Sequence, residues 1–102
     1  MIFYNKAARD GIPEIIRAGG KACRVEVLDQ ERWLEELKRK LSEELQEYLE
    51  SGDLEELADI VEVVYGIAAA LGETVEELER LRLRKREARG GFDERLFLVS
   101  VE

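Results

Sequence analysis

The stretch Glu43-Glu44-Leu45-Gln46-Glu47-Tyr48-Leu49-Glu50-Ser51-Gly52-Asp53-Leu54-Glu55-Glu56-Leu57-Ala58-Asp59 decides the fold. Ser51-Gly52-Asp53 interrupts sequence that is otherwise helical on both sides, and two helices joined by so short a turn must lie side by side and antiparallel. Upstream of the break, Glu44 and Glu47 stand three residues apart; downstream, Glu56 and Asp59 do the same, so each pair occupies one side of its helix. Four carboxylates can therefore converge across the seam. Like charges at that range repel, an arrangement that makes sense chiefly if a cation sits among them, and ligation by carboxylates and water suits magnesium or manganese.

Working outward, the upstream helix should begin after Asp29 as N-cap and run to about Glu50. Leu34, Leu37, Leu41, Leu45 and Tyr48 recur at helical spacing and form its core stripe. At about 100° per residue, Glu44 lies roughly 75° from the middle of that stripe, Glu47 roughly 130° away, and Glu43 almost opposite. Glu44 and Glu47 can then flank the seam while Glu43 faces water, and Trp33 lies on the Glu44 side near the helix start, as core or as a platform for a nucleobase. The downstream helix, from about Leu54 to Leu71, is apolar nearly all round and should be buried. Its acids Glu56, Asp59 and Glu62 share one stripe with Gly66, and no basic residue occurs between Lys40 and Arg80 to pair with them locally. Unpaired acids on a buried helix cost several kcal/mol each, so something must neutralise them. Two plainer readings compete. Asp53 and Glu56 can form a capping box, which leaves Asp59 and Glu62 unexplained, and Glu43 and Glu47 can be surface charges paired with Arg39 or Lys40.

A third helix opens with Thr74-Val75-Glu76-Glu77, a capping-box pattern, after Gly72 ends the second, and Gly90-Gly91 terminates it. Its far half is basic. Cations there favour the helix dipole, and Lys85 and Arg89, one turn apart, are also spaced to clamp phosphates. Near the front, Pro13 fits the first turn of a short helix through Glu14–Ala18, which Gly19-Gly20 would end. Alternation in Cys23-Arg24-Val25-Glu26-Val27-Leu28 reads as a half-buried strand, with Arg95-Leu96-Phe97-Leu98-Val99-Ser100-Val101 as its partner. The expected architecture is mainly α: one domain over residues 1–102, an antiparallel bundle of three main helices with a short N-terminal helix and a small two-stranded β ribbon. One short chain offers too little cover for the second helix, so a homodimer or homotetramer is expected.

A net charge of −8 argues against a nucleic-acid or anionic-membrane binder. No apolar run approaches the roughly 20 residues of a membrane span, and Met1-Ile2-Phe3-Tyr4-Asn5-Lys6 lacks the pattern of a secretory signal, so a cytoplasmic location is expected. The single cysteine, Cys23, agrees with a reducing compartment. Histidine is absent, which leaves any catalysis to carboxylates, metal-activated water and basic side chains.

The order Glu44-x-x-Glu47, a short gap, then Glu56-x-x-Asp59 resembles the signature of the all-α nucleoside triphosphate pyrophosphohydrolases, the MazG-like and phosphoribosyl-ATP pyrophosphohydrolase-like superfamily. Tyr4-Asn5-Lys6, Arg9-Asp10 and Ile12-Pro13, with Lys85 through Arg89-Gly90-Gly91-Phe92, extend the likeness to a compact branch along the chain, although Ala7 and Ala8 replace expected larger apolar residues and Gly11 an expected lysine. The resemblance implies magnesium-dependent hydrolysis of a nucleoside triphosphate, deoxy or non-standard, to the monophosphate and pyrophosphate. It implies Glu44, Glu47, Glu56 and Asp59 as metal ligands, and Lys6, Arg9, Lys85 and Arg89 as contacts for the triphosphate. A ligand carboxylate or Glu43 would accept the proton of the attacking water. The alternatives are a phosphoribosyl-ATP pyrophosphohydrolase and a non-catalytic helical module for oligomerisation or nucleotide binding.

Overall fold

A computed structural model describes residues 1–102 as four helices joined by irregular segments. They are α1 (Ile12–Ala18), α2 (Gln30–Ser51), α3 (Leu54–Ala70) and α4 (Val75–Arg89). Local chemistry sets each boundary. Asp29 caps α2 by accepting from the Arg32 N–H at 2.8 Å, and Thr74 caps α4 by accepting from the Glu77 N–H at 3.1 Å. Gly52 ends α2 in the left-handed region at φ 69°, donating to the Tyr48 carbonyl at 2.7 Å. Gly72, at φ 83°, closes α3 in a Schellman pattern: Glu73 N–H bonds the Ala68 carbonyl and Gly72 N–H the Ala69 carbonyl, each at 2.9 Å. Both positions need positive φ, which glycine adopts without a Cβ penalty.

The turn at 52–53 folds α3 back against α2, and this antiparallel pair is the body of the molecule. Its far end is an apolar seam in which Leu37 and Ala70 pack with Ala7 from the N-terminal segment, flanked by Trp33, Leu34 and Ile67. Gln30 fastens the same end by donating to the Ala70 carbonyl at 2.6 Å, which satisfies one of the carbonyls left over at the end of α3. α2 and α3 approach closely at Gly66: a Cβ there would sit 3.6 Å from both Leu37 methyl carbons, an ordinary contact distance that accommodates a methyl group and little more. α4 returns along the other face of α3, where Leu78, Glu79 and Arg82 border a groove with Val61, Val64 and Tyr65.

Two expectations need correction. The β ribbon is not formed: residues 23–28 and 95–101 are irregular, Val27 is 100% exposed and Phe97 88%. A lone two-stranded ribbon is marginal in water, and of these two segments only Cys23 and Leu28 are even half-buried, so neither segment has a covered face. The three helices also do not close into a bundle, because α4 touches α3 and not α2, while α1 touches none of the others. The Cα radius of gyration is 17.7 Å, against about 13 Å for a compact chain of this length. Accordingly Leu57 and Val61 of α3, which the sequence places inside, remain exposed along with Leu45 and Leu49 of α2.

Gly66→Ala should stabilise the fold, since the added methyl meets Leu37 at an ordinary contact distance while the helix interior gains about 1 kcal/mol. For a chain of this size that raises Tm by roughly 4–8 °C. Gly66→Leu should lower Tm by forcing the helices apart, and circular dichroism melts of both variants check the pair; a stable Gly66→Leu would mean the seam is not closed there.

Candidate metal centre

The acid site lies at the turn-proximal part of the α2–α3 seam, away from the Leu37–Ala70 packing. α2 does not present the middle of its leucine stripe to α3. Its buried or half-buried residues are Trp33, Leu34, Glu36, Leu37, Lys40, Leu41, Glu44 and Tyr48, while Leu45 is exposed. That face is turned roughly 40° about the helix axis from the centre of the leucine stripe, toward Glu44. Glu44 is in consequence the only charged residue of the chain that is buried, at 7% exposure. On α3 the facing line runs through Glu56, Asp59, Val63, Ile67 and Ala70 at helical spacing. Glu56 and Asp59 are half-buried on it; Glu62 lies off it and is exposed.

Glu44, Glu56 and Asp59 can hold a metal ion, since one carboxylate oxygen from each lies within 4.8 Å of the others. The Oε2 atom of Glu44 is buried and has no hydrogen-bond partner, while Lys40 reaches only Oε1, at 3.6 Å. A buried carboxylate oxygen without a partner forfeits its hydration for nothing, so the site fits a cation that would complete it. Glu47 stands outside the triangle yet close to it. Burial, then the nearby carboxylates of Glu47 and Asp59, push the Glu44 carboxyl above its ordinary value, against the pull of Lys40. Desolvation and then the charges of Glu47, Asp59 and Glu44 push Glu56 the same way.

Besides Lys40, two cations reach this site from the N-terminal segment. Arg9 donates to Asp59 Oδ1 at 2.6 Å, and Lys6 lies 3.8 Å from Glu43 Oε1. Between them Ala7 is buried in the α2–α3 seam and anchors the segment. Lys6 and Arg9 thus reach opposite helices from one anchored stretch.

The remaining candidates fall elsewhere. Glu43 is exposed and pairs with Lys6 instead of Lys40 or Arg39. Trp33 packs on the apolar seam, and by helix rise it is roughly 16 Å along α2 from Glu44, so it is core at a distance from the acids. Lys85 and Arg89 are exposed on α4, which packs on the face of α3 opposite the acids, and neither forms an ion pair. The capping-box account of Glu56 does not hold, because Asp53 makes no side-chain cap bond. Lys40 is the site residue that sequence reasoning placed with the wrong acid. Its spacing of four residues from Glu44 was the signal. No protein-family model, no curated protein and no solved structure matches the chain.

The raised carboxyls set the sign of the pH dependence. Between the ordinary value of 4.5 and their raised values, the folded chain holds protons that the unfolded chain has released, so stability falls as pH rises through that window. Urea midpoints of the metal-free protein should therefore decline as pH rises above 4.5, and Glu44→Gln should flatten the decline. A midpoint that climbs with pH across the window would show the carboxylates to be stabilised where they stand.

Proposed function

We propose that the chain is a divalent-cation-dependent nucleoside triphosphate pyrophosphohydrolase, releasing a nucleoside monophosphate and pyrophosphate. The observation that carries the cation is the partnerless Glu44 Oε2 inside the Glu44–Glu56–Asp59 triangle. The triphosphate rests on the likeness of Glu44-x-x-Glu47 and Glu56-x-x-Asp59, with the motifs around Lys6 and Arg9, to the all-α pyrophosphohydrolases. All-oxygen ligation by three carboxylates favours magnesium, with manganese as a substitute.

Glu44, Glu56 and Asp59 would hold the cation, which when bound offsets phosphate charge and makes a water more acidic. The chain's own groups supply the rest. Glu47 borders the triangle without belonging to it, so it is the carboxylate in place to accept a proton from water attacking phosphorus. Glu43 is occupied by Lys6 and is the weaker candidate. Arg9 and Lys6 lie on the acids' exposed side and would face a polyphosphate arriving there.

A second reading draws on a different observation: the unburied Leu45, Leu49, Leu57, Val61, Leu81 and Leu83. These favour self-association, as homodimer or homotetramer, with the chain acting as a helical module whether or not it turns over substrate.

Phosphorus NMR with a panel of ribo- and deoxynucleoside triphosphates plus magnesium should show monophosphate and pyrophosphate appearing together, and neither with chelator. Glu44→Ala and Asp59→Ala should each abolish turnover with the helical circular dichroism retained. Orthophosphate as product, or full activity in both variants, would sink the assignment. Sedimentation equilibrium should return at least twice the 11.7 kDa chain mass; a monomer at micromolar concentration would remove the self-association reading.

A further inference from the structure

We propose that the Lys6–Arg9 segment is an internal counter-ion strap: it closes the acid site while no divalent cation is present, and releases Arg9 to an anionic substrate once the cation binds. This rests on the metal-site reading above and adds an order of events to it.

Three observations converge. Arg9 occupies Asp59 Oδ1 at 2.6 Å, so its guanidinium sits against one of the three carboxylates that a metal ion would need. Lys6 approaches Glu43 on the facing helix at 3.8 Å, so the strap ties α2 and α3 together across the site's rim. Ala7, between them, is buried in the apolar seam and holds the backbone in place independently of either ion pair.

The strengths are suited to exchange. The Arg9 pair is about half exposed, at 55% and 40% for the two side chains, which places it among surface ion pairs that contribute modestly and break readily. A single guanidinium charge on one carboxylate leaves Glu44 Oε2 unpartnered and the mutual repulsion of the acids largely in place. A divalent cation at the triangle answers both, and its charge disfavours a guanidinium alongside. With Ala7 still seated, the displaced Arg9 stays within side-chain reach of the site, now as an unpaired cation. A polyphosphate is the ligand chemistry that such a residue recognises, through paired N–H to O contacts. Polyphosphate should accordingly bind well only after the cation.

The test is titration with Mn²⁺ alone, followed by electron paramagnetic resonance, on wild type, Arg9→Ala and Arg39→Ala. Arg39 is a control, since it pairs with Glu36 on the surface of α2. Arg9→Ala should bind Mn²⁺ about two- to fivefold more tightly than wild type, the range expected for removing one exposed ion-pair competitor, with Arg39→Ala unchanged. Calorimetry with inorganic tripolyphosphate should show binding to wild type only with the cation present, and weakened binding to cation-loaded Arg9→Ala. Equal Mn²⁺ affinity in Arg9→Ala and wild type, or equal tightening in Arg39→Ala, overturns the strap and leaves the metal site standing. No Mn²⁺ binding in any of the three proteins overturns the metal site itself.

Discussion

Bringing Glu44, Glu56 and Asp59 within 4.8 Å of one another is the constraint on which the rest of this structure depends. Carboxylates so placed repel, and one of them, Glu44, is almost wholly removed from water. The two helices that carry them are held against that repulsion at their other end, where Leu37 lies against Gly66 and Ala70 and where Gln30 bonds the last turn of α3. The short Ser51–Asp53 turn leaves the helices no freedom to separate near the acids. Packing at one end thus imposes charge crowding at the other.

The crowding is relieved locally and incompletely. Lys40 partners Glu44 from one turn earlier on α2, and Arg9 partners Asp59 from outside the hairpin. Glu44 Oε2 stays without a partner, and desolvation, with the neighbouring charge of Glu47, keeps the Glu44 and Glu56 carboxyls above their ordinary values. A fold selected for stability alone would put leucine or alanine along this line, as the far half of the same seam does. Local departures of this kind from consistent core design are characteristic of functional positions. The N-terminal segment meets the same seam, with Ala7 buried against Leu37 and Ala70 and the flanking Lys6 and Arg9 paired with Glu43 and Asp59.

Outside the seam the chain is open. α4 leans on α3 through Leu78 and its neighbours and then continues without cover, while Leu81 and Leu83 remain in solvent. No helix is long and apolar enough to cross a membrane, so these apolar positions do not belong to a membrane span. The hydrophobic effect supplies little stabilisation to a chain whose buried residues are so few, and covering α3 on its outer face is the direct way to add more.

The helix boundaries were legible in the residues themselves, since they depend on local chemistry: Asp29 and Thr74 as caps, Gly52 and Gly72 as left-handed stops, Pro13 in the first turn of α1. So was the meeting of Glu44 with Glu56 and Asp59, because a three-residue break forces antiparallel neighbours and helical spacing does the rest. Residues 23–28 and 95–101 alternate as a ribbon would, yet alternation marks a strand only where another layer covers one face, and of these residues only Cys23 and Leu28 are even half-buried. The rotation of α2 that takes Glu44 inside and leaves Leu45 out was not readable from periodicity, which fixes where residues lie around a helix but not which direction faces its partner. Arg9 on Asp59, fifty positions apart, was equally hidden. Such a pairing depends on where an irregular segment lands, and Ala7 finding the gap between α2 and α3 is an event of tertiary packing alone.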